Sequence, residues 1–145
     1  MSVPKILIVE DDAATRALLS SALQREGLFA DTAVDGVDAI EKVRATRYEV
    51  MLVDLMMPRM NGIDFITAYA ALPNIDAVVI IITAFDDAAV RRLAPHIAER
   101  VHAVIHKPFE MAWVVSVLRE CAWARMRADP LRETGDDRVR PIALS

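Results

Sequence analysis

The 145-residue chain is expected to fold as an α/β domain, a doubly wound five-stranded parallel sheet with helices on both faces. Three observations predict it. Short apolar runs at Ile6–Val9, 28–34, Val50–Asp54, Val78–Thr83 and Val101–His106 alternate with segments whose apolar residues recur at helical spacing. Val50–Asp54 and Val78–Thr83 are almost continuously apolar, as strands covered on both faces are. Four of the runs also stop at a polar group: Glu10-Asp11, Asp54, Thr83 and Lys107. In an open parallel sheet such stops line one edge, outside the carboxyl ends of the strands, where these folds bind ligands.

The first strand, Ile6–Val9, leads into a helix over 13–26 that carries Leu18, Leu19, Ala22 and Leu23 on one face. Asp12 suits its N-cap and Gly27 its C-terminal stop. Residues 28–34 read as a short second strand, and 36–46 as a helix with Val37, Ile40 and Val43 on one face. After the third strand, Val50–Asp54, a turn over 58–62 introduces a helix over 63–72. The β-branched run Val78–Thr83 is the fourth strand. Asp86-Asp87 can cap a fourth helix carrying Val90, Leu93 and Ile97, which Pro95 should kink or end near Ala94. Val101–His106 is the fifth strand, and the last helix spans 110–127 with Val114, Val117, Leu118 and Cys121 as its inner stripe. Repeats of this kind imply right-handed crossovers. From 128 to 145 the periodicity dissolves around Pro130, Gly135 and Pro141, so 1–127 reads as the folded domain and 128–145 as a flexible C-terminal tail or linker.

Composition narrows the function classes. Apolar residues make up 54% of the chain, yet no run approaches the length that crosses a bilayer, and the N-terminal residues lack a signal-peptide cleavage site. The expectation is a soluble cytoplasmic protein without membrane contact. Cys121 is the only cysteine, which excludes a disulfide framework and a thiol metal cluster. A net charge of −4 argues against direct nucleic-acid binding by this chain. The glycines are Gly27, Gly36, Gly62 and Gly135, so no Gly-rich loop follows the first strand, and neither a dinucleotide fingerprint nor a P-loop is present.

The first turn offers carboxylates instead. Glu10, Asp11 and Asp54 cannot sit together ionised unless a cation compensates them. Oxygen-only ligands favour Mg²⁺, which takes one or two carboxylates and keeps several waters. Three carboxylates, Lys107 and one divalent cation sum to zero charge, a balance suited to receiving a phosphoryl dianion on a carboxylate nucleophile. Each residue alone has a plainer reading: Asp54 capping a turn, Thr83 as a β-former, Lys107 as a solvated loop lysine. Their convergence on one edge argues for a site. His96, His102 and His106 make no metal spacing with the carboxylates and read as surface or strand-edge residues.

In order along the chain, Glu10-Asp11, Asp54 followed by Met57-Pro58 and Gly62, Thr83-Ala84 and Lys107-Pro108-Phe109 resemble the receiver domain of two-component response regulators, of the chemotaxis-regulator type, over roughly residues 4 to 127. The resemblance implies a flavodoxin-like strand order 2-1-3-4-5. It implies Asp54 as phosphoacceptor, forming an aspartyl phosphate with a group taken from a histidine kinase or phosphotransfer protein. Mg²⁺ would be held by Asp54, Asp11, Glu10 through water and the backbone carbonyl of Met56. Thr83 would donate its hydroxyl to a phosphoryl oxygen and Lys107 would pair with another. Pro58, Gly62 and Pro108 would be structural, Pro108 through a cis bond that aims Lys107 inward. The chain would then be a signalling switch that catalyses only its own phosphorylation and dephosphorylation.

The sequence departs from this pattern at Val104, the switch position, where receivers usually carry an aromatic ring. The interval between Thr83 and Lys107, with Pro95 inside it, is also atypical. Trp113 and Trp123 on the last helix suggest a homodimer face, with tryptophans lying flat over the domain edge as the equal alternative. Val104 leaves open a pseudo-receiver interaction module that is not phosphorylated. A phosphatase of the haloacid dehalogenase type would need an Asp where Met56 stands, and a flavodoxin-like electron carrier would need donors where the first turn is acidic.

Overall fold

The computed structural model describes residues 3–73, 76–86 and 95–128. Its elements run β1 (Ile6–Val9), α1 (Ala13–Arg25), β2 (Ala30–Ala33), α2 (Gly36–Ala45), β3 (Val50–Asp54), α3 (Gly62–Ala70), β4 (Val78–Thr83), α4 (Pro95–Ala98), β5 (Val101–His106) and α5 (Met111–Ala128). The five strands form one parallel sheet in the order β2-β1-β3-β4-β5, as expected.

Alternating side chains of the central strands feed two cores. Ile6, Ile8, Val50, Leu52, Ile80 and Ile82 face α1 and α5 through Leu19, Leu23, Val114 and Leu118. Leu7, Val9, Met51, Val53, Val79 and Ile81 face α2 and α3 through Ala39, Phe65, Ile66 and Tyr69. Burial on both sides explains why β1 and β3 carry no polar residue before their last position. Each fully buried Ile, Leu or Val contributes on the order of 2 kcal/mol.

The helix starts follow the sequence. Asp12 caps α1, its carboxylate accepting from Thr15 N–H at 2.9 Å. Asn61 caps α3 in the same way, through Asp64 N–H at 2.9 Å. Gly27 takes a positive φ of 77°, the left-handed stop a glycine permits.

Several expectations need correcting. The second strand is shorter than 28–34, because Leu28 turns inward to close the end of α1 while Val34 is exposed beyond the edge strand. Leu18 lies outside the core stripe of α1 and is 59% exposed. The buried stripe of α5 runs through Val114, Val115, Leu118 and Ala122, with Val117 and Cys121 only partly covered. Apolar residues occupy nearly every side of its first two turns, so its inner direction was ambiguous by period. Trp123 packs against the core beneath α5, whereas Trp113 is 54% exposed. Pro95 is the first residue of α4, at a position where its missing N–H is not needed, and the expected kink or end of the preceding helix near Ala94 lies outside the described residues. Asp87, Val90, Leu93 and Ala94, assigned to the fourth helix, lie outside the described residues, as do 129–145 of the expected tail. No helix among the described residues is long and apolar enough to cross a membrane.

Candidate functional site

Strand register brings the acidic residues together. Val9 pairs with Val53 across β1 and β3, so Glu10 and Asp54, one position further on, stand side by side. Glu10 is held there by its N–H to Ala33 O at 3.0 Å and is fully buried. Asp54, the last residue of β3, is 3% exposed, and Asp11 is open to solvent. One carboxylate oxygen from each of Glu10, Asp11 and Asp54 falls within 4.8 Å of the others.

Lys107 enters from the loop after β5. Its backbone N–H donates to Thr83 O at 2.8 Å, tying the ends of β4 and β5, and the Lys107–Pro108 peptide is cis. Its Nζ lies 3.0 Å from Asp54 Oδ2 and 3.2 Å from Glu10 Oε1. Thr83, buried at the end of β4, accepts the Phe85 N–H on Oγ1 at 3.0 Å, which leaves its hydroxyl proton to donate elsewhere.

The electrostatics follow from burial and crowding. Burial, then a hydrogen bond to Asp54, pushes the Glu10 carboxyl up to about 7. Burial opposes the charge on Lys107, but the hydrogen bonds and charges of Asp54 and Glu10 outweigh it and hold the ammonium above the ordinary lysine range. One ammonium does not neutralise three clustered carboxylates. An all-oxygen donor set of this charge, with one member open to water, fits a hard divalent cation such as Mg²⁺.

Of the remaining expected residues, Met56 donates its N–H to Asp54 Oδ1 at 3.1 Å, which sets its peptide beside the carboxylate while its side chain is exposed. Gly62 is buried against the same backbone: a Cβ there would lie 2.4 Å from Asp54 O and 2.8 Å from Leu55 Cα, so the close approach demands glycine. Pro58 and Pro108 are exposed turn residues. Val104 is half-buried and packs on the core shared with α2 and α3, as does Phe85. His102 and His106 are exposed on the edge strand, and His106 Nδ1 pairs with Phe85 O at 3.0 Å. The side chain of His96 is not among those described.

Sequence reasoning passed over three residues near the site. Arg16 Nη1 donates to the carbonyls of Glu10 at 2.8 Å and Asp11 at 3.2 Å, fixing the first turn. Its place one helical turn after the Asp12 cap was the available signal. Asp35 and Arg59 form an ion pair beside the loop that follows Asp54, and nothing in their sequence spacing announces it.

Residues 6–119 match the family described as Response regulator receiver domain. The protein-glutamate methylesterase/protein-glutamine glutaminase 1 of Anaeromyxobacter dehalogenans is 40% identical over 76 residues, 52% of this chain and 22% of that protein. Response regulator MprA of Mycobacterium leprae is 29% identical over 148 residues, 97% of this chain and 57% of its own length. The chain thus spans less than two thirds of these curated relatives. Among solved structures, the receiver domain of a putative Luxo repressor from Vibrio parahaemolyticus superimposes with a TM-score of 0.78 at 21% identity, covering 91% of this chain and 99% of that one. TrrA of Thermotoga maritima, in complex with Mg(2+)-BeF, gives 0.70 at 25% identity over 81% and 98% of the two chains. A match that begins in β1 and ends within α5 takes in every strand and every polar stop at the sheet edge, and the chain belongs to the receiver domains of two-component response regulators.

Proposed function

We propose that Asp54 accepts a phosphoryl group from a phosphohistidine of a histidine kinase or phosphotransfer protein, in a Mg²⁺-dependent reaction, and later releases it to water. The observation that carries this reading is the Lys107 ammonium lying 3.0 Å from Asp54 Oδ2 and 3.2 Å from Glu10 Oε1, beside a three-carboxylate cluster. An Asp54 oxygen attacks phosphorus as the P–N bond breaks, its electron pair passing to the imidazole. Lys107 transfers its ion pair to a phosphoryl oxygen, and the Thr83 hydroxyl donates to another. Asp11, Asp54, Glu10 through water and the Met56 carbonyl would hold the metal, with Pro58, Gly62 and Pro108 shaping the loops around it. The cation, when bound, offsets negative charge on the carboxylates and the arriving group. The Mg(2+)-BeF complex of the Thermotoga maritima protein supports that assignment.

The proposal extends to the whole chain. Residues 1–127 act as a receiver and 128–145 as tail or linker. Phosphorylation switches partner binding or self-association, the α5 face with exposed Trp113 being the proposed contact. Direct nucleic-acid binding is not part of this reading, in keeping with the charge of −4.

Incubation with Mg²⁺ and a small phosphodonor, followed by intact-mass measurement, tests the chemistry. One added phosphoryl group is expected, absent in Asp54→Ala and in EDTA. An unmodified wild-type chain would favour the pseudo-receiver instead, and an adduct that survives Asp54→Ala would remove Asp54 from its role.

A further inference from the structure

The loop between β3 and α3 begins at Asp54 and contains Met56, but its far end is fastened to a different part of the molecule. Asp35, the N-cap of α2, is 4% exposed and divides its two oxygens. Oδ1 accepts from Asp38 N–H at 2.9 Å and closes the first turn of α2, while Oδ2 takes Arg59 Nε at 2.5 Å. The Arg59 guanidinium holds the Asp35 carboxyl below the usual carboxylate range. Arg59 has φ +60°, the one non-glycine residue with positive φ in the described chain, a conformation that persists only where surrounding contacts impose it.

A second tie sits beside the first. Gly36 N–H donates to Met60 O at 2.9 Å, and the approach is so close that a Cβ on Gly36 would lie 2.5 Å from Met60 Cγ and 2.6 Å from Met60 O. The near end of the loop is fixed by Met56 N–H to Asp54 Oδ1 at 3.1 Å and by Gly62 N–H to Leu55 O at 3.1 Å. The segment that carries Met56 is therefore clamped at both ends, and the far clamp is made by the N-cap and the first residue of α2.

We propose that Asp35 and Gly36 are positioning residues for the phosphorylation site: they lock the 55–61 loop against α2 so that the Met56 carbonyl is fixed for the cation. This rests on the reading of Asp54, Asp11 and Met56 as the Mg²⁺ site. Without the clamp, the loop must be ordered when the metal binds, and metal affinity falls while the chemistry of the loaded site does not.

Asp35→Asn separates the two duties, because asparagine remains a good N-cap but carries no charge for Arg59. Arg59→Gly removes the clamp from the other side and accepts the positive φ without strain. Mg²⁺ affinity is measured by isothermal titration calorimetry, with the melting temperature in EDTA as the control for folding. Each variant is expected to weaken Mg²⁺ binding about 10-fold, the scale on which partners that orient metal ligands act. The double variant should be no weaker than either single one. The Mg²⁺ concentration for half-maximal phosphorylation should rise in step, with the rate at saturating Mg²⁺ unchanged, and Arg59→Lys should restore part of the loss. Wild-type Mg²⁺ affinity in both variants would overturn the proposal. Asp11→Asn distinguishes the failures: if it abolishes Mg²⁺ binding while Asp35→Asn leaves it intact, the metal site stands and the clamp does not. If wild-type chain binds no Mg²⁺, both fall together.

Discussion

The two halves of the sheet edge are built to different standards. In the β1–β3 half, Glu10 and Asp54 are buried, in register, and joined by Lys107, with the first turn pinned by Arg16 and the following loop by Asp35. In the β4–β5 half, Thr83 is the one polar residue of comparable burial among the described residues. The pairing of β4 with β5 shifts register between Val79 and Ile80, β5 is an edge strand with alternating exposure, and a half-buried Val104 stands where receivers usually carry a ring. The acid half is fastened by directed contacts: Lys107 to Glu10 and Asp54, Arg16 to the first turn, and Arg59 to Asp35. The other half is held by strand pairing and by the packing of Val and Ile side chains, without a buried ion pair between its own side chains among the described residues. Under the proposed function, the phosphoryl chemistry falls on the half fastened by charge and the readout on the half fastened by apolar packing.

Lys107 carries the ion pairs that join the two halves, and removing it gives the largest expected effect. Lys107→Ala should slow phosphorylation of Asp54 by about 100-fold, the scale for losing one charged donor at a site of developing charge. Initial rates with a small phosphodonor, measured at saturating Mg²⁺, check it. A rate within a factor of a few of wild type would mean that the acidic half works without its counter-charge, and the contrast drawn between the halves would lose its basis.

Glu10 gives a smaller and pH-dependent effect. Its carboxyl titrates near the ordinary 4.5 in the unfolded chain and at about 7 in the folded one. Between those values the folded state binds more protons, so stability in EDTA falls as pH rises from about 4.5 to 7. Melting temperatures should decline across that window, Glu10→Gln should flatten the decline, and Mg²⁺ should offset the loss at its upper end. A slope equal in wild type and Glu10→Gln would show that other groups carry it.

The same division explains what could be read in the sequence. Residues whose role follows from charge or backbone chemistry were legible: Asp12 as a cap and Gly27 as a stop each by itself, and Glu10, Asp11, Asp54 and Lys107 as strand-end groups through their convergence on one edge. Residues whose role depends on which way an element faces were not. Val115 and Ala122 displaced Val117 and Cys121 on α5 because the first two turns of that helix, 111–118, are apolar on nearly every side. Leu18 matched the stripe of α1 and is nonetheless exposed. Asp35 and Arg59 escaped because an ion pair 24 residues apart leaves no local trace.

Val104 should produce the smallest effect, and its value lies in that smallness. Truncation to alanine deletes two methyl groups from a half-buried side chain on the core shared with α2 and α3, for a cost of about 1 kcal/mol in stability. Since Val104 contacts neither the carboxylates nor Lys107 through any polar group, the initial rate of phosphorylation should match wild type. Any change belongs to readout: a shift in partner affinity or self-association between the phosphorylated and unphosphorylated forms. Chemical denaturation measures the first quantity, and the phosphodonor assay the second. If Val104→Ala slows phosphorylation as much as Lys107→Ala does, then β5 packing sets the geometry of the acidic site, and the two halves are one mechanical unit. If the rate holds while the stability loss appears, the soft half is free to move without disturbing the chemistry, which is what a switch built on a rigid site requires.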